Sequence, residues 1–362
     1  MRLPTEQERV LREACREVLG RQSTSAHIRQ VAESDTGFDA GFWKLAADLG
    51  WTALAVPESL GGIGGSVGDL AAVVEELGYA GQPGLLPQTL AVAYVLGRMG
   101  GDSAEIRALL SDIGGGDAIL TWGGVGPDSP GTVRLTDGVL IGTVEFVPDG
   151  GNATHLAVPA MEGTTTWLVV VDLTAARFET VPTMDLTRRY GRVWLDGVAA
   201  GSIRLPEDAV GLLFDLGVVL QCAEGGGIAR RLLDMTVTYA GQREQFGRPI
   251  GSFQAIKHRI ADMLIETEGC RVATREAADA LDANVAAGGE PVSVAKSWVG
   301  RAASFVASHA LQIHGGIGFS WEHDLHLFLR RAKTNELLLG SPAWHDERLY
   351  RSVLAGLKEG ER

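Results

Sequence analysis

Cysteine is scarce: the 362 residues hold three, Cys15, Cys222 and Cys270, far apart and odd in number. That spacing argues against a disulfide framework and against a cysteine-based metal site, and the three read as buried thiols in a reducing cytoplasm. Positive charge is also short, with 32 Lys and Arg against 45 Asp and Glu and a formal net charge of −13. A duplex or an anionic bilayer repels such a chain, so nucleic acid is not an expected partner. No apolar run reads as long enough to span a bilayer, and the N-terminal MRLPTEQERVLREACREVLG has no apolar h-region. The expectation is a cytoplasmic protein without membrane insertion. Internal repeats and low-complexity tracts are missing too.

What is present is 45% apolar content over a length that supports two or three domains. From Glu6 to about Gly114 the periodicity is helical, broken at Gly37, Gly50, Pro57, the Gly61 to Gly68 cluster and Pro83 to Pro87. The glycine cluster has no preceding strand and no following Lys-Ser/Thr, so it reads as a loop rather than a phosphate cradle. Between Asp117 and roughly Leu205 the period becomes two, in runs such as Thr132-Val-Arg-Leu, Thr143-Val-Glu-Phe-Val, His155-Leu-Ala-Val, Trp167-Leu-Val-Val-Val and Arg192-Val-Trp-Leu. Asp-Gly at 137 and 196 and Gly150-Gly151-Asn152 are expected turns. Helical periodicity returns near Asp208, with helices expected at 208–243, 252–287, 291–313, 324–338 and 344–357 and a hairpin at 286–291. The spans expected are a helical domain at 1–116, a middle antiparallel, barrel-like β-domain at 117–206 and a helical bundle at 207–362.

The segment Tyr239 to Met263 joins pattern to chemistry. Ile228, Leu232, Met235 and Tyr239 recur at helical spacing, Phe246-Gly-Arg-Pro249 interrupts them, and Phe253, Ile256, Ile260 and Met263 restart the pattern. Arg243, Gln245 and Phe246 then lie at a helix end beside an exposed turn, where a guanidinium can grip phosphate and a ring can support a heterocycle. The bland alternative is a dipole-complementing Arg and a core Phe. Downstream, Gln312-Ile-His-Gly315-Gly316 pairs an amide that donates and accepts with backbone open to close approach, or is an ordinary helix stop. His314, His323 and His326 have no agreed metal-ligand spacing, so no metal is expected.

The order Arg-x-Gln-Phe-Gly-x-Pro-Ile-x-x-Phe-Gln, then Ala-Asp-Met, then Gln312-Ile-His-Gly-Gly-Ile-Gly-Phe319 resembles the acyl-CoA dehydrogenase family over nearly the whole chain. Phe42-Trp43, Leu49-Gly-Trp51, Ala55-Val-Pro-Glu58 and Val74-Glu-Glu-Leu-Gly78 are similar to that family's first domain. The resemblance implies an α+β fold: a helical domain, a middle antiparallel β-domain and a C-terminal four-helix bundle. It also implies FAD, an acyl-CoA substrate and an electron-transfer flavoprotein as acceptor. Carried over, Arg243, Phe246, Gln312, Gly315 and Gly316 become contacts to the adenine and pyrophosphate part of an FAD seated mainly on a neighbouring subunit.

The family's catalytic carboxylate is absent from both of its usual places, which fall here at Leu339 and Gly217. Glu336, three residues before Leu339, is the one nearby substitute, and an ion pair with Arg330 or Lys333 is its expected role. Glu224 has a similar structural role in its helix. The flavin-cradling segments are reduced to Thr121-Trp-Gly-Gly124 and Phe146-Val147-Pro148, and Ser341-Pro-Ala343 lacks the family's polar contacts. This selective loss is similar to the base-lacking subunits of actinobacterial α2β2 acyl-CoA dehydrogenases, some acting on steroid side-chain CoA esters, whose homologous partner is catalytic. A self-sufficient enzyme with a displaced base and a flavin-free scaffold on this fold are the alternatives.

Overall fold

The structure, a computed structural model, describes residues 4–101, 103–126, 133–283 and 289–360. Thr132 and positions 286–288 of the expected hairpin lie outside them. Six helices come first: α1 (Glu6–Gln22), α2 (Ser25–Glu33), α3 (Ala40–Asp48), α4 (Val67–Ala80), α5 (Leu86–Met99) and α6 (Ala104–Gly115). Eight strands follow: β1 (Leu120–Trp122), β2 (Val133–Thr136), β3 (Val139–Pro148), β4 (His155–Glu162), β5 (Thr165–Asp172), β6 (Arg177–Val181), β7 (Tyr190–Ala199) and β8 (Arg204–Leu205). The chain continues through α7 (Asp208–Gln242), the short strands β9 (Glu244–Gln245) and β10 (Arg248–Pro249), α8 (Gln254–Ala283), α9 (Gly289–His314), α10 (Leu325–Leu337) and α11 (Pro342–Gly360).

Compactness does not follow the three spans read from the sequence. One unit comprises Met1–His27, Ala71–Gln82 and Val218–Arg362, and the other Ile28–Leu70 and Pro83–Gly217. The reason the first unit recruits two early segments is charge. Glu75 and Glu76 on α4 are both buried, and a buried carboxylate needs a cation. Arg12 and Arg16 of α1 and Arg230 of α7 supply it: Arg230 reaches Glu75 at 3.0 Å and Glu76 at 2.8 Å, and Arg16 reaches Glu76 at 3.0 Å. Helix α1 is itself fixed by a capping box in which the Glu8 N–H donates to Thr5 Oγ1 and the Thr5 N–H to Glu8 Oε2. Gly78 and Gly227 allow α4 and α7 to touch backbone to backbone, since a Cβ on Gly227 would fall 2.0 Å from the Glu75 carbonyl.

The expected apolar spacing is realised in the core of this unit, where Ile228, Leu232, Met263, Val306, Ala310 and Phe328 of α7 to α10 pack together. Helix α7 does have the length and composition to cross a membrane, contrary to the sequence reading. However, 94% of its apolar window is buried inside the protein, which makes it a core helix. The three cysteines are free and buried, and burial pushes the thiols of Cys15 and Cys222 up to about 12.

In the second unit the sheet runs β6-β7-β3-β2-β4-β5-β8, with β1 beside β4. It is antiparallel except where β1 and β2 pair with β4 in parallel, which the alternation of residues alone could not reveal. Val144, Leu156, Val169, Val193 and Leu195 form its core. Asp137-Gly138 makes the expected turn, with φ of 50° and 78°. Asp196-Gly197 does not: it lies inside β7, where the register against β3 shifts, and Gly197 at φ 79° forms a bulge.

Two predictions follow from these units. Asp149, at the β3 end, is buried with φ 43°, and burial pushes its carboxyl up to about 7 against the Arg189 N–H bond and the Arg188 and Arg189 charges. An unfolded aspartate ionises near pH ~4, so stability falls as pH rises between about 4 and 7. Asp149→Asn, which tolerates a left-handed backbone, should therefore raise the melting temperature at pH 8 by about 2–4 °C, the gain fading toward pH 4. A lower melting temperature at pH 8 would contradict this. Separately, Leu264 and Ile265 of α8 and Val294 and Trp298 of α9 are exposed, an apolar surface that a lone bundle leaves wet. Sedimentation at micromolar concentration should find a dimer or tetramer, and a monodisperse monomer would count against the assignment of this surface to an interface.

Candidate functional site

Helix α7 ends at Gln242, one residue before the expected end at 243. The chain then makes a two-residue hairpin: β9 pairs with β10 around Phe246 and Gly247, whose φ values are 55° and 77°. Positive φ at both positions is what the tight hairpin turn demands, and Asn-Gly would satisfy it without strain. Phenylalanine there costs roughly 1–2 kcal/mol in backbone strain. Its ring is also 92% exposed, resting edge-on against Phe253 at 6.1 Å. Folding gains little from such a residue, which points to something outside this chain that uses it.

Arg243 is exposed one turn beyond Tyr239, its N–H donating to the Tyr239 carbonyl (2.8 Å) and its carbonyl accepting from Ile250 N–H (2.8 Å). Among the described residues no side chain pairs with its guanidinium. Helix α9 ends where Gly315 turns left-handed at φ 60°. A Cβ on either Gly315 or Gly316 would meet nothing within 4 Å, so packing inside this chain does not explain Gly316. Gln312 is exposed beside them, and Ile317, Phe319 and Trp321 are exposed just beyond, Phe319 at 73%.

The two segments meet because the Tyr239 ring stacks on His314, with centroids 4.4 Å apart and planes 19° apart. The histidines are thereby occupied structurally. His314 Nδ1 donates to the Ala310 carbonyl (2.8 Å), burial holding its pKa below the usual range, and His323 Nδ1 accepts from the Leu325 N–H at the start of α10 (3.1 Å). Among the described residues no cluster of three metal-ligating side chains occurs.

The region around Leu339, the position the resemblance gives to the family's base, is equally defined. Leu339 follows α10 with φ 58°, and Gly340 with φ 86°. Beneath them the buried His345 donates from Nε2 to the Leu339 carbonyl (2.9 Å), its Nδ1 facing Ser293 Oγ at 3.1 Å. Burial drives its pKa down to about 4, so the imidazole is neutral and works as a brace. Glu336 accepts from Ser304 Oγ (2.5 Å) and pairs with Lys333 (2.7 Å). Burial pushes its carboxyl up, but those bonds outweigh burial and hold it below its ordinary value. Glu224 pairs with Arg331 at 2.9 Å and accepts from Asn335 Nδ2 at 2.6 Å. Gly217 is a buried position within α7. The sequence reading missed Lys296, buried with its Nζ on the Gln221 side chain and the Asn335 carbonyl, and missed His345; a lone Lys or His in a helical pattern carries no signal of burial.

An FAD tests these residues in two halves. A free guanidinium, an exposed ring, an amide and open glycine backbone suit its pyrophosphate and adenine. Of the residues named for the flavin half, Thr121 is fully buried with its hydroxyl donating to the Pro148 carbonyl (2.6 Å), and Pro148 has no N–H to give.

Comparison with known proteins shows the family. Residues 5–110 match the acyl-CoA dehydrogenase N-terminal domain, and residues 210–354 the acyl-CoA dehydrogenase C-terminal domain. The chain is 36% identical to acyl-CoA dehydrogenase IpdE2 of Mycolicibacterium smegmatis over 96% of this chain and 99% of that one. Its identity to IpdE2 of Mycobacterium tuberculosis is 34%, over 94% and 95%. Among solved structures it is similar to a variant of the Tcur3481–Tcur3483 steroid ACAD, with a TM-score of 0.91 and 30% identity, covering 98% of this chain and 99% of that one. It is also similar to the ChsE4–ChsE5 complex from Mycobacterium tuberculosis, with a TM-score of 0.90 and 29% identity, covering 97% and 98%. Sequence and architecture agree across both matched domains: the chain belongs to the acyl-CoA dehydrogenase family.

Proposed function

We propose that this chain is the base-lacking subunit of a heteromeric, FAD-dependent acyl-CoA dehydrogenase that desaturates an acyl-CoA thioester, a steroid side-chain CoA ester being the substrate class. The observation that carries the reading is the contrast between its two ends. Arg243, Phe246, Gln312 and Gly316 are exposed, whereas Leu339 stands at the base position and Glu336 is committed to Ser304 and Lys333. One structural neighbour is a steroid ACAD, which supports the substrate class, and two structural neighbours are complexes of two different proteins.

In this role Arg243 gives charge-assisted hydrogen bonds to the pyrophosphate of an FAD seated on a homologous partner. Phe246 flanks the adenine, Gln312 donates and accepts along the dinucleotide, and Gly315 and Gly316 let backbone close on it. The chemistry FAD supplies when bound is acceptance of hydride from the substrate's β-carbon. The α-proton goes to a glutamate of the partner, because a leucine side chain accepts none. An electron-transfer flavoprotein then serves as acceptor, in the cytoplasm.

Two tests bear on this. Arg243→Ala should weaken FAD retention by the assembled complex about 10- to 100-fold, the worth of a charge-assisted bond at about 1.5–3 kcal/mol. Unchanged flavin occupancy would refute the contact. Glu336→Gln should lower the melting temperature by about 2–4 °C per kcal/mol lost and leave turnover by the complex intact. Robust turnover by the isolated chain, abolished by Glu336→Gln, would instead establish a displaced base.

A further inference from the structure

After Ala240 the chain has nothing inside the protein for some distance: residues 241–248 are all exposed. The hairpin that carries Arg243 and Phe246 therefore takes its position from what anchors the last inward residues of α7. Ala240 is buried, with Gly251 packed so closely that a Cβ there would fall 3.0 Å from the Ala240 carbonyl. On that side the hairpin is also held by the Ile250 N–H bond to the Arg243 carbonyl and by Phe246 resting on Phe253, contacts that lead into α8. Tyr239 is different. Its ring lies flat on His314, its hydroxyl donates to the His314 carbonyl (3.4 Å), and its own carbonyl receives the Arg243 N–H (2.8 Å). His314 cannot rotate away, because Nδ1 is bonded to the Ala310 carbonyl and His323 packs edge-on against it at 4.9 Å. His314 is directly followed by Gly315 and Gly316, two residues after Gln312.

We infer that Tyr239 is a positioning residue: its stack on His314 ties the Arg243–Phe246 hairpin to the Gln312–Gly316 turn, so that both segments meet one dinucleotide as a single rigid grip. The inference rests on the proposed FAD-contact role and adds the element that makes two separate segments act together. Tyr239 acts through the hairpin that carries Arg243 and Phe246. The flat stack does this better than aliphatic packing, because two parallel rings resist sliding and tilting together.

The test uses the complex with its glutamate-bearing homologous subunit and measures the dissociation constant of FAD by the fluorescence of released flavin. Tyr239→Phe keeps the stack and should change FAD affinity by less than about twofold, the hydroxyl contact being long. Tyr239→Leu should loosen FAD about five- to tenfold. In an Arg243→Ala/Phe246→Ala background the same Tyr239→Leu change should have under about a twofold effect, because the groups it positions are gone. His314→Leu removes the stack from the other side and should reproduce the Tyr239→Leu result if that variant does not assemble. Equal loosening in both backgrounds would reduce Tyr239 to a stability role, and no loosening by either stack-breaking variant would overturn the inference. If Arg243→Ala alone leaves FAD affinity unchanged, the contact reading itself fails. Loosening by Arg243→Ala without loosening by Tyr239→Leu defeats only the positioning role.

Discussion

Two adjacent carboxylates, Glu75 and Glu76, are buried on one helix, and the larger helical unit depends on how their charge is met. A buried carboxylate left with no cation at all would cost on the order of 3–5 kcal/mol. The chain answers with guanidiniums from two other helices, Arg12 and Arg16 from α1 and Arg230 from α7. This locks α7 near its middle, and Gly78 and Gly227 let the locked helices touch. The same helix, held there, runs on to deliver Arg243 at its far end.

The functional asymmetry of the chain then has a simple physical form. At one end of the bundle, side chains that could bond are left exposed and backbone is left open. At the Leu339 turn every polar group is consumed: His345 by Ser293 and the Leu339 carbonyl, Glu336 by Ser304 and Lys333, Lys296 by Gln221 and Asn335. The left-handed Leu339 is braced from beneath by the neutral His345. In the β-domain the Thr121 hydroxyl is likewise spent internally.

Much of this was legible in the sequence because it is local. Helical spacing from Ile228 to Tyr239 and strand alternation from His155 to Trp167 identified their elements. The Glu336–Lys333 pair follows from residues three apart on one helix. What stayed hidden is non-local or depends on φ. Asp196-Gly197 has the letters of a turn, yet becomes a bulge because β3 stays paired on both sides of it. The Phe246-Gly247 hairpin was masked because phenylalanine is an uncharacteristic residue for a positive φ. The division into units could not be seen, since the ion pairs from Arg12 to Glu75 and Arg230 to Glu76 join residues more than 60 positions apart.

The central claim is that this chain completes an FAD site seated on another subunit and holds none of its own. The most direct measurement is flavin absorbance per mole of protein, recorded for the chain purified alone and for the chain purified with its homologous glutamate-bearing partner. The account predicts a colourless isolated chain and a yellow complex. Stoichiometric FAD on the isolated chain would contradict it.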